Sequence, residues 1–168
     1  GAMGGMAADL DILIRSPSDP LVGLEYHRHF THSLAFVPIG GLLVAAPWLI
    51  SAWRKRKRGD LAAWTRAQWI AAATTIGYAT HGLLDAFTSY GTLLWWPFSN
   101  ARVDWNTISI IDPAYTIPLL IAVVVAARTQ RRRFAAIGLL AATAYLGVCG
   151  LQRMRVVGAQ ARVAAERG

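Results

Sequence analysis

His81 and Asp85 place an imidazole and a carboxylate four residues apart in an otherwise apolar stretch. On a helix, positions four apart share one face, so both side chains can point at the same ion. Imidazole and carboxylate ligands suit zinc, manganese and iron. Ionisable residues inside a membrane helix are costly, and they often mark functional sites. The alternative is a structural pair, in which the two side chains hydrogen-bond each other.

More histidines and aspartates lie nearer the N-terminus. His27, His29 and His32 come just before the first long apolar run, and Asp9 and Asp11 precede them. His27 and His32 are five residues apart, which is poor spacing for one helix face. We therefore expect these two to approach a metal site from a loop and the start of a helix. For His29, a solvated loop position is the expected role.

The elements that must position these residues are long apolar runs. Hydrophobic residues make up 55% of the 168 residues, charged residues only 15%, and the mean hydropathy is +0.37. A soluble domain would carry about 25% charge. Four segments approach the roughly 20 residues that span a bilayer core. They are Leu34 to Trp53, Trp69 to Phe87, Ala114 to Ala127 and Phe134 to Leu151.

This pattern predicts an all-α fold, a polytopic transmembrane helix bundle with about four spans. Residues 1–152 are expected to form the membrane domain that holds the metal site. Residues 153–168 are expected to form a basic C-terminal tail, because Arg153, Arg155, Arg162 and Arg167 follow the last apolar run.

The distribution of charge predicts the orientation of the chain. The loops around residues 54–66 and 128–133 hold ten basic residues and one acid, Asp60. Basic loops face the cytoplasm, so all four histidines and most of the acids should lie on the outer side. The net charge of +8 belongs beside membrane lipids rather than nucleic acid, because the cations flank apolar runs. The oligomeric state does not follow from the sequence.

The order of several short motifs resembles that of a known family. The segment His-Arg-His-Phe-Thr-His-Ser-Leu at 27–34 is similar to the His-Arg-Gly-x-Thr-His-Ser-Leu motif of the bacterial membrane-bound metal-dependent hydrolases of the YdjM/YbcI type. The segments at 81–85 and 88–99 resemble that family's second motif. Ala-Asp-Leu-Asp at 8–11 resembles its Pro-Asp-x-Asp element, and Ile-Asp-Pro at 111–113 its later Asp-Pro.

The resemblance implies a metal-dependent hydrolase of the bacterial inner membrane, distantly akin to zinc phospholipase C and P1 nuclease. Its site would face the periplasm and act on a phosphoester or lipid-like substrate. The cofactor would be a divalent metal, zinc first, with manganese or iron as alternatives. By motif, the expected metal ligands are His32, His81, Asp85, Asp9, Asp11 and His27. Two catalytic assignments accompany them: Asp112 would orient a ligating imidazole, and Arg28 would neutralise a phosphate or else pair with Glu25.

Members of this family begin with a further helix that carries a Thr-His or Gly-His pair near the N-terminus, and no such pair occurs before residue 31 here. Two interpretations stay open: Gly1 to Met3 is a scar of tag removal, or Gly1 to Met6 is the end of that helix. In the second case the metal site would lack one ligand.

Two other functions stay open at this point. One is a structural membrane protein whose metal ions tie helix ends together without turnover. The other is a transporter or channel with His81 and Asp85 lining its path. Transport ranks below the others because the centres of the apolar runs hold few polar residues beyond Thr74, Thr75 and Thr143.

Overall fold

The computed structural model describes residues 1–167, which contain helices and turns but no strand. The prediction of an all-helical chain is confirmed. Six α-helices follow one another: α1 Ala2–Ala7, α2 Leu21–Tyr26, α3 Val37–Arg56, α4 Leu61–Ala86, α5 Pro113–Thr129 and α6 Arg132–Arg167. Two short 3₁₀ segments, Ala8–Leu13 and Phe30–His32, lie between them. The chain divides into two compact units, and the second begins at Trp105.

The centre of the first unit is a hairpin of α3 and α4. Gly59, with φ of +93°, makes the tight turn between the helices, where a side chain would be strained. The carboxylate of Asp60 then accepts the Ala63 amide at 2.9 Å and caps the start of α4. This hairpin places residues near the start of α3 beside residues near the end of α4.

Small residues let α3 and α4 approach closely. Gly40 lies against the ring of Tyr78, and Gly41 lies against Thr75. The Thr74 hydroxyl donates to the Gly41 carbonyl at 3.0 Å and joins the two helices. Close backbone approach through small residues is the usual packing of membrane helices, where lipid provides no hydrophobic drive.

The N-terminal helix α1 also packs against α4. Gly4 is buried against the backbone of Thr74, and Gly77 of α4 meets the backbone of Gly1. Neither glycine leaves room for a side chain. This contact brings the following 3₁₀ segment, with Asp9 and Asp11, to the end of α4 that carries His81.

An irregular loop follows α4 and is tied back to the chain before α3. Thr92 and Val103 exchange backbone hydrogen bonds of 3.0 and 2.8 Å. The Leu93 amide donates to the Arg28 carbonyl at 3.2 Å, and the Leu34 amide donates to the Leu94 carbonyl at 3.0 Å. These bonds fix the segment around residues 28–34 against the loop.

The second unit is built from α5 and α6. Asp112 caps α5 by accepting the Tyr115 amide at 3.1 Å. Gly138 of α6 packs against Ala122 of α5. Large apolar side chains on both helices are exposed, with Ile121 at 57% and Leu140 at 70%. Such faces suit a lipid environment rather than water.

Two helices are long and apolar enough to cross a membrane, α3 and α6, and α5 is a shorter apolar helix. The helix α4 is long enough, at 26 residues, but it is not among the candidate spans. The number of about four spans is therefore not confirmed. The helix α6 continues without a break from the fourth predicted span through the basic residues that follow it.

We expect Gly41→Ala to destabilise the hairpin, because a Cβ at Gly41 would lie 2.5 Å from the Thr75 Cα. Overpacking of this kind costs about 1–3 kcal/mol. The matched control is Gly150→Ala on α6, where a Cβ meets nothing within 4 Å. Thermal unfolding in detergent, followed by circular dichroism, measures both. Equal melting temperatures for the two variants would contradict the close packing.

Candidate metal centre

Four side chains from three parts of the first unit converge at one end of the α3–α4 hairpin. We call Asp9, His32, His81 and Asp85 the His–Asp group. Each offers one ligand atom, and the four atoms lie within 4.8 Å of one another. Asp9 comes from the first 3₁₀ segment and His32 from the second, while α4 supplies the other two.

The distances within the group match those around a small cation. His32 Nε2 lies 3.5 Å from Asp9 Oδ1 and 3.4 Å from Asp85 Oδ2. His81 Nε2 lies 3.1 Å from Asp9 Oδ1 and 3.4 Å from Asp85 Oδ2. Ligand atoms about 2.0–2.1 Å from a tetrahedral zinc are about 3.3 Å apart. The donor set of two imidazoles and two carboxylates therefore fits one divalent ion.

The same distances also suit direct imidazole–carboxylate pairs. The surroundings of two buried atoms help to decide between a metal site and such pairs. His32 Nε2 is buried and has no hydrogen-bond partner among the described residues. Asp85 Oδ2 is also buried, and its close cationic neighbour is the Arg28 guanidinium, an ion pair at 3.0 Å. Buried polar atoms are nearly always paired with protein, water or an ion. An imidazole nitrogen without a partner, in a side chain only 1% exposed and beside two carboxylates, indicates a place for a cation.

Asp11 lies behind the His–Asp group and holds its surroundings together. One oxygen accepts the Arg28 amide and the Thr31 hydroxyl, both at 2.8 Å. The same oxygen is 3.3 Å from His32 Nδ1, and the other is 3.0 Å from His27 Nδ1. Asp11 was predicted to be a ligand, and the structure places it against the far nitrogen of a ligand imidazole.

Electrostatics favour the ionised form of this carboxyl. Burial alone would raise the pKa of Asp11, but hydrogen bonds from His32, Thr31, Arg28 and His27 outweigh it and hold the pKa well below its usual range. Burial alone would lower the pKa of His32, and the neighbouring carboxylates of Asp11 and Asp85 raise it instead. Asp11 is thus a permanent negative charge next to the His32 ring.

Arg28 is buried and pairs with Asp85 rather than with Glu25. Its Nε lies 3.0 Å from Asp85 Oδ2, and its NH1 donates to the Thr88 hydroxyl at 3.1 Å. Its guanidinium also lies over the Tyr90 ring, 5.3 Å from the centroid. The backbone of Arg28 has φ of +58°, in the left-handed region that side chains rarely adopt. Arg28 therefore fixes the orientation of one ligand carboxylate.

Once both imidazoles are neutral, as metal ligation requires, the site carries a negative excess. It contains three carboxylates, those of Asp9, Asp11 and Asp85, and one guanidinium, that of Arg28. Two negative charges are then uncompensated. A dication would neutralise them, which is the electrostatic complement to the geometric fit.

The remaining predicted residues lie outside the His–Asp group. His27 pairs with Asp11 and lies beside the Tyr90 ring, 5.6 Å between centroids. His29 is half-buried among the rings of Tyr26, Phe30 and Trp96 instead of standing free in solvent. In the second unit, the carboxylate of Asp112 caps α5 and accepts the Tyr145 hydroxyl at 3.0 Å.

Three supporting residues were missed in the sequence. Thr31 donates to Asp11 and lies 3.0 Å from His32 Nδ1, while Thr88 accepts from Arg28. Gly82 lies under the site, because a Cβ there would be 2.6 Å from the His32 carbonyl oxygen. Gly82 had a signal in the sequence, because it directly follows His81. Nothing in the sequence distinguishes Thr31 and Thr88 from threonines that only cap a helix.

The family model of the YdjM inner membrane proteins matches residues 1–156. The chain belongs to the YdjM inner membrane protein family. No curated protein and no solved structure matches it.

The match covers both units, including the whole His–Asp group. As a YdjM family member, the chain is an inner membrane protein, and the apolar exposed helices agree with that location. The resemblance noted from the motifs is confirmed as far as the YdjM family. The family is named for its membrane location and not for a reaction, so hydrolysis does not follow from membership.

We expect Asp11→Asn to weaken metal binding about 10- to 100-fold, as loss of a carboxylate behind a ligating imidazole does. The amide keeps the shape of the side chain but removes the charge beside His32 Nδ1. Titration with zinc against a chromophoric chelator measures the affinity. Asp19→Asn is the matched control, since Asp19 accepts the Leu21 amide on an exposed turn outside the group. Unchanged affinity in Asp11→Asn would contradict this role.

Proposed function

We propose that this protein is a membrane-embedded metal-dependent hydrolase that acts on a phosphoester or lipid-like substrate at the outer face of the inner membrane. One observation carries the proposal: the ligand atoms of Asp9, His32, His81 and Asp85 converge within 4.8 Å. Membership in an inner membrane protein family supports the location.

Each residue has a distinct part in this proposal. The His–Asp group would hold the ion, which supplies a water of pKa about 7 and polarises the scissile bond. Asp11 would keep Nδ1 of His32 protonated and its Nε2 free for ligation. Arg28 would hold Asp85 through its ion pair. Its earlier assignment, charge neutralisation of a substrate phosphate, stays a proposal, as does an orienting role for Asp112.

Access to the group is one-sided. The side chain of His32 is fully buried, whereas that of Asp9 is 48% exposed and that of His81 is 23% exposed. A substrate would therefore approach past Asp9 and His81. A catalytic metal site keeps such an open position, whereas a structural one is closed by protein ligands.

An apolar cavity beside the group supports a lipid-like substrate. Its volume is about 260 Å³, and it starts at Asp11 and Thr31. It extends along α3 past Gly40, Leu43 and Val44. None of the four ligands lines it, so it would hold an acyl chain behind the group while the phosphate approaches past Asp9 and His81. Its apolar walls along a candidate membrane span suit such a chain.

The hairpin and the distribution of charge support the proposed location at the outer face. The 20 residues of α3 extend about 30 Å, which is the thickness of a bilayer core. If α3 spans the membrane, the His–Asp group and the basic turn at residues 54–60 lie on opposite faces. The positive-inside rule then assigns the group to the periplasmic side. The proposal keeps α4, α5 and the apolar part of α6 as further spans.

A non-catalytic, metal-binding structural protein is the second candidate. It is favoured by the origin of the ligands in three chain segments, since an ion there would tie α1, α3 and α4 together. This candidate predicts bound metal with every coordination position filled by protein.

Metal content tests both candidates together. We expect the detergent-purified protein to hold near-stoichiometric zinc, manganese or iron by mass spectrometry. We expect His81→Ala and Asp85→Ala to lose it, because each removes one of four ligands. His29→Phe is the matched control, because it removes a histidine outside the group and keeps its aromatic packing. Metal retained in both site variants, with helical circular dichroism intact in all four samples, would refute the assigned site.

A second experiment separates the hydrolase from the structural protein. The protein is loaded with cobalt(II), and phosphate is added while the visible spectrum is recorded. A hydrolase with an open position should change its spectrum, and it should release product from a phospholipid or aryl phosphodiester panel. His81→Ala should abolish both signals. A spectrum indifferent to phosphate, together with no turnover of the metal-loaded protein, would favour the structural protein.

A further inference from the structure

The opposite end of the α3–α4 hairpin contains a second polar feature. A cavity of about 160 Å³ lies between the C-terminal part of α3 and the N-terminal part of α4. Lys55 and Arg66 stand on its two sides, Trp48 and Ser51 line one wall, and buried Ala52 and Ala67 form its floor. We call it the basic cleft. It lies far from the His–Asp group, so it does not depend on the function proposed above.

The cleft lies in a concentrated positive field. The six cations nearby are Arg54, Lys55, Arg56, Lys57, Arg58 and Arg66. Asp60 is the one acid among residues 54–66, and its carboxylate is engaged as the cap of α4. Within residues 1–167, none of these cations forms an ion pair. The charge is therefore available to an external anion.

The cations divide into two kinds. Lys57 lies over the Trp53 ring at 3.8 Å, and Arg56 lies over the Trp64 ring at 5.2 Å. Those two cover indoles outside the cleft. Lys55 and Arg66 line the cleft itself, one from each helix, so one phosphate between them can meet both. Arginine and lysine both bind phosphate, arginine often through two parallel bonds.

Exposed indoles mark the membrane depth of the cleft. Trp48, Trp53 and Trp69 are 37%, 49% and 73% exposed, and all lie at this end of the hairpin. Tryptophan concentrates at the level of lipid headgroups. Basic pockets between membrane helices at this depth bind the headgroups of anionic lipids.

We propose that the basic cleft binds the phosphate of an anionic phospholipid, with Lys55 and Arg66 as the direct contacts and Trp48 beside the first carbons of the acyl chains. The positive-inside rule also explains a basic turn, but it depends only on the number of cations in the turn. Binding of a lipid in the cleft depends instead on the two cations that line it. The two explanations therefore differ for variants that remove equal charge at different positions.

The test uses native mass spectrometry of the full chain in detergent, with phosphatidylglycerol or phosphatidylcholine added. The double variant Lys55→Gln/Arg66→Gln removes the cleft cations, and Arg56→Gln/Lys57→Gln removes the same charge outside it. We expect phosphatidylglycerol to stay bound to the wild type and to the second variant in preference to phosphatidylcholine. In the first variant its affinity should fall about 25-fold, since each of the two cations contributes roughly a fivefold preference.

Two outcomes would overturn the proposal. Equal losses in both double variants, with circular dichroism unchanged, would show diffuse attraction to the whole basic turn. Displacement of the lipid by millimolar inorganic phosphate would show a site for a free anion. A melting temperature of the Lys55→Gln/Arg66→Gln variant equal to that of the wild type is the control that any loss of lipid binding is local to the cleft.

Discussion

The buried carboxylate of Asp11 is the interaction on which the arrangement of the first unit depends. It joins the N-terminal 3₁₀ segment to the segment 27–32 through a backbone amide, a hydroxyl and two imidazoles. A buried charge is tolerable only when it is satisfied in this way. Without it, the left-handed backbone at Arg28 and the fixed ring of His32 would lose their common support.

A second ionic contact connects this assembly to α4. Arg28 reaches Asp85 with its side chain while its amide is held by Asp11, so one residue couples two carboxylates on different elements. The loop after α4 adds Thr88 and Tyr90 to the same guanidinium. The positions of the ligands are thus set by a connected polar network, in which the Nε2 of His32 is left without a hydrogen-bond partner.

The sequence predicted much of this site, but not which residues belong to the His–Asp group and which lie behind it. The spacing of His81 and Asp85, and the resemblance of the motifs around Asp9 and His32, pointed to six ligands, and four of the six converge. Which aspartate of Asp9 and Asp11 faces the group depends on the turn of a 3₁₀ segment, and spacing alone cannot decide that. The Arg28–Asp85 pair is also invisible in sequence, where Glu25 is the nearer acid. The second predicted span begins at Trp69, whereas α4 begins at Leu61, because a span is recognised by its apolar residues and the helix start by its cap, Asp60.

The ligands of the His–Asp group are distant in sequence, since Asp9 and His81 are 72 residues apart and yet in contact. An ion held by them would act as a cross-link that closes long loops, much as a disulfide does. Such a link lowers the entropy of the opened chain, and the effect grows with loop length. The free energy of metal binding would then contribute directly to the free energy of folding. The small, glycine-rich α1, which buries little apolar surface of its own, would be the first element to detach when the ion leaves.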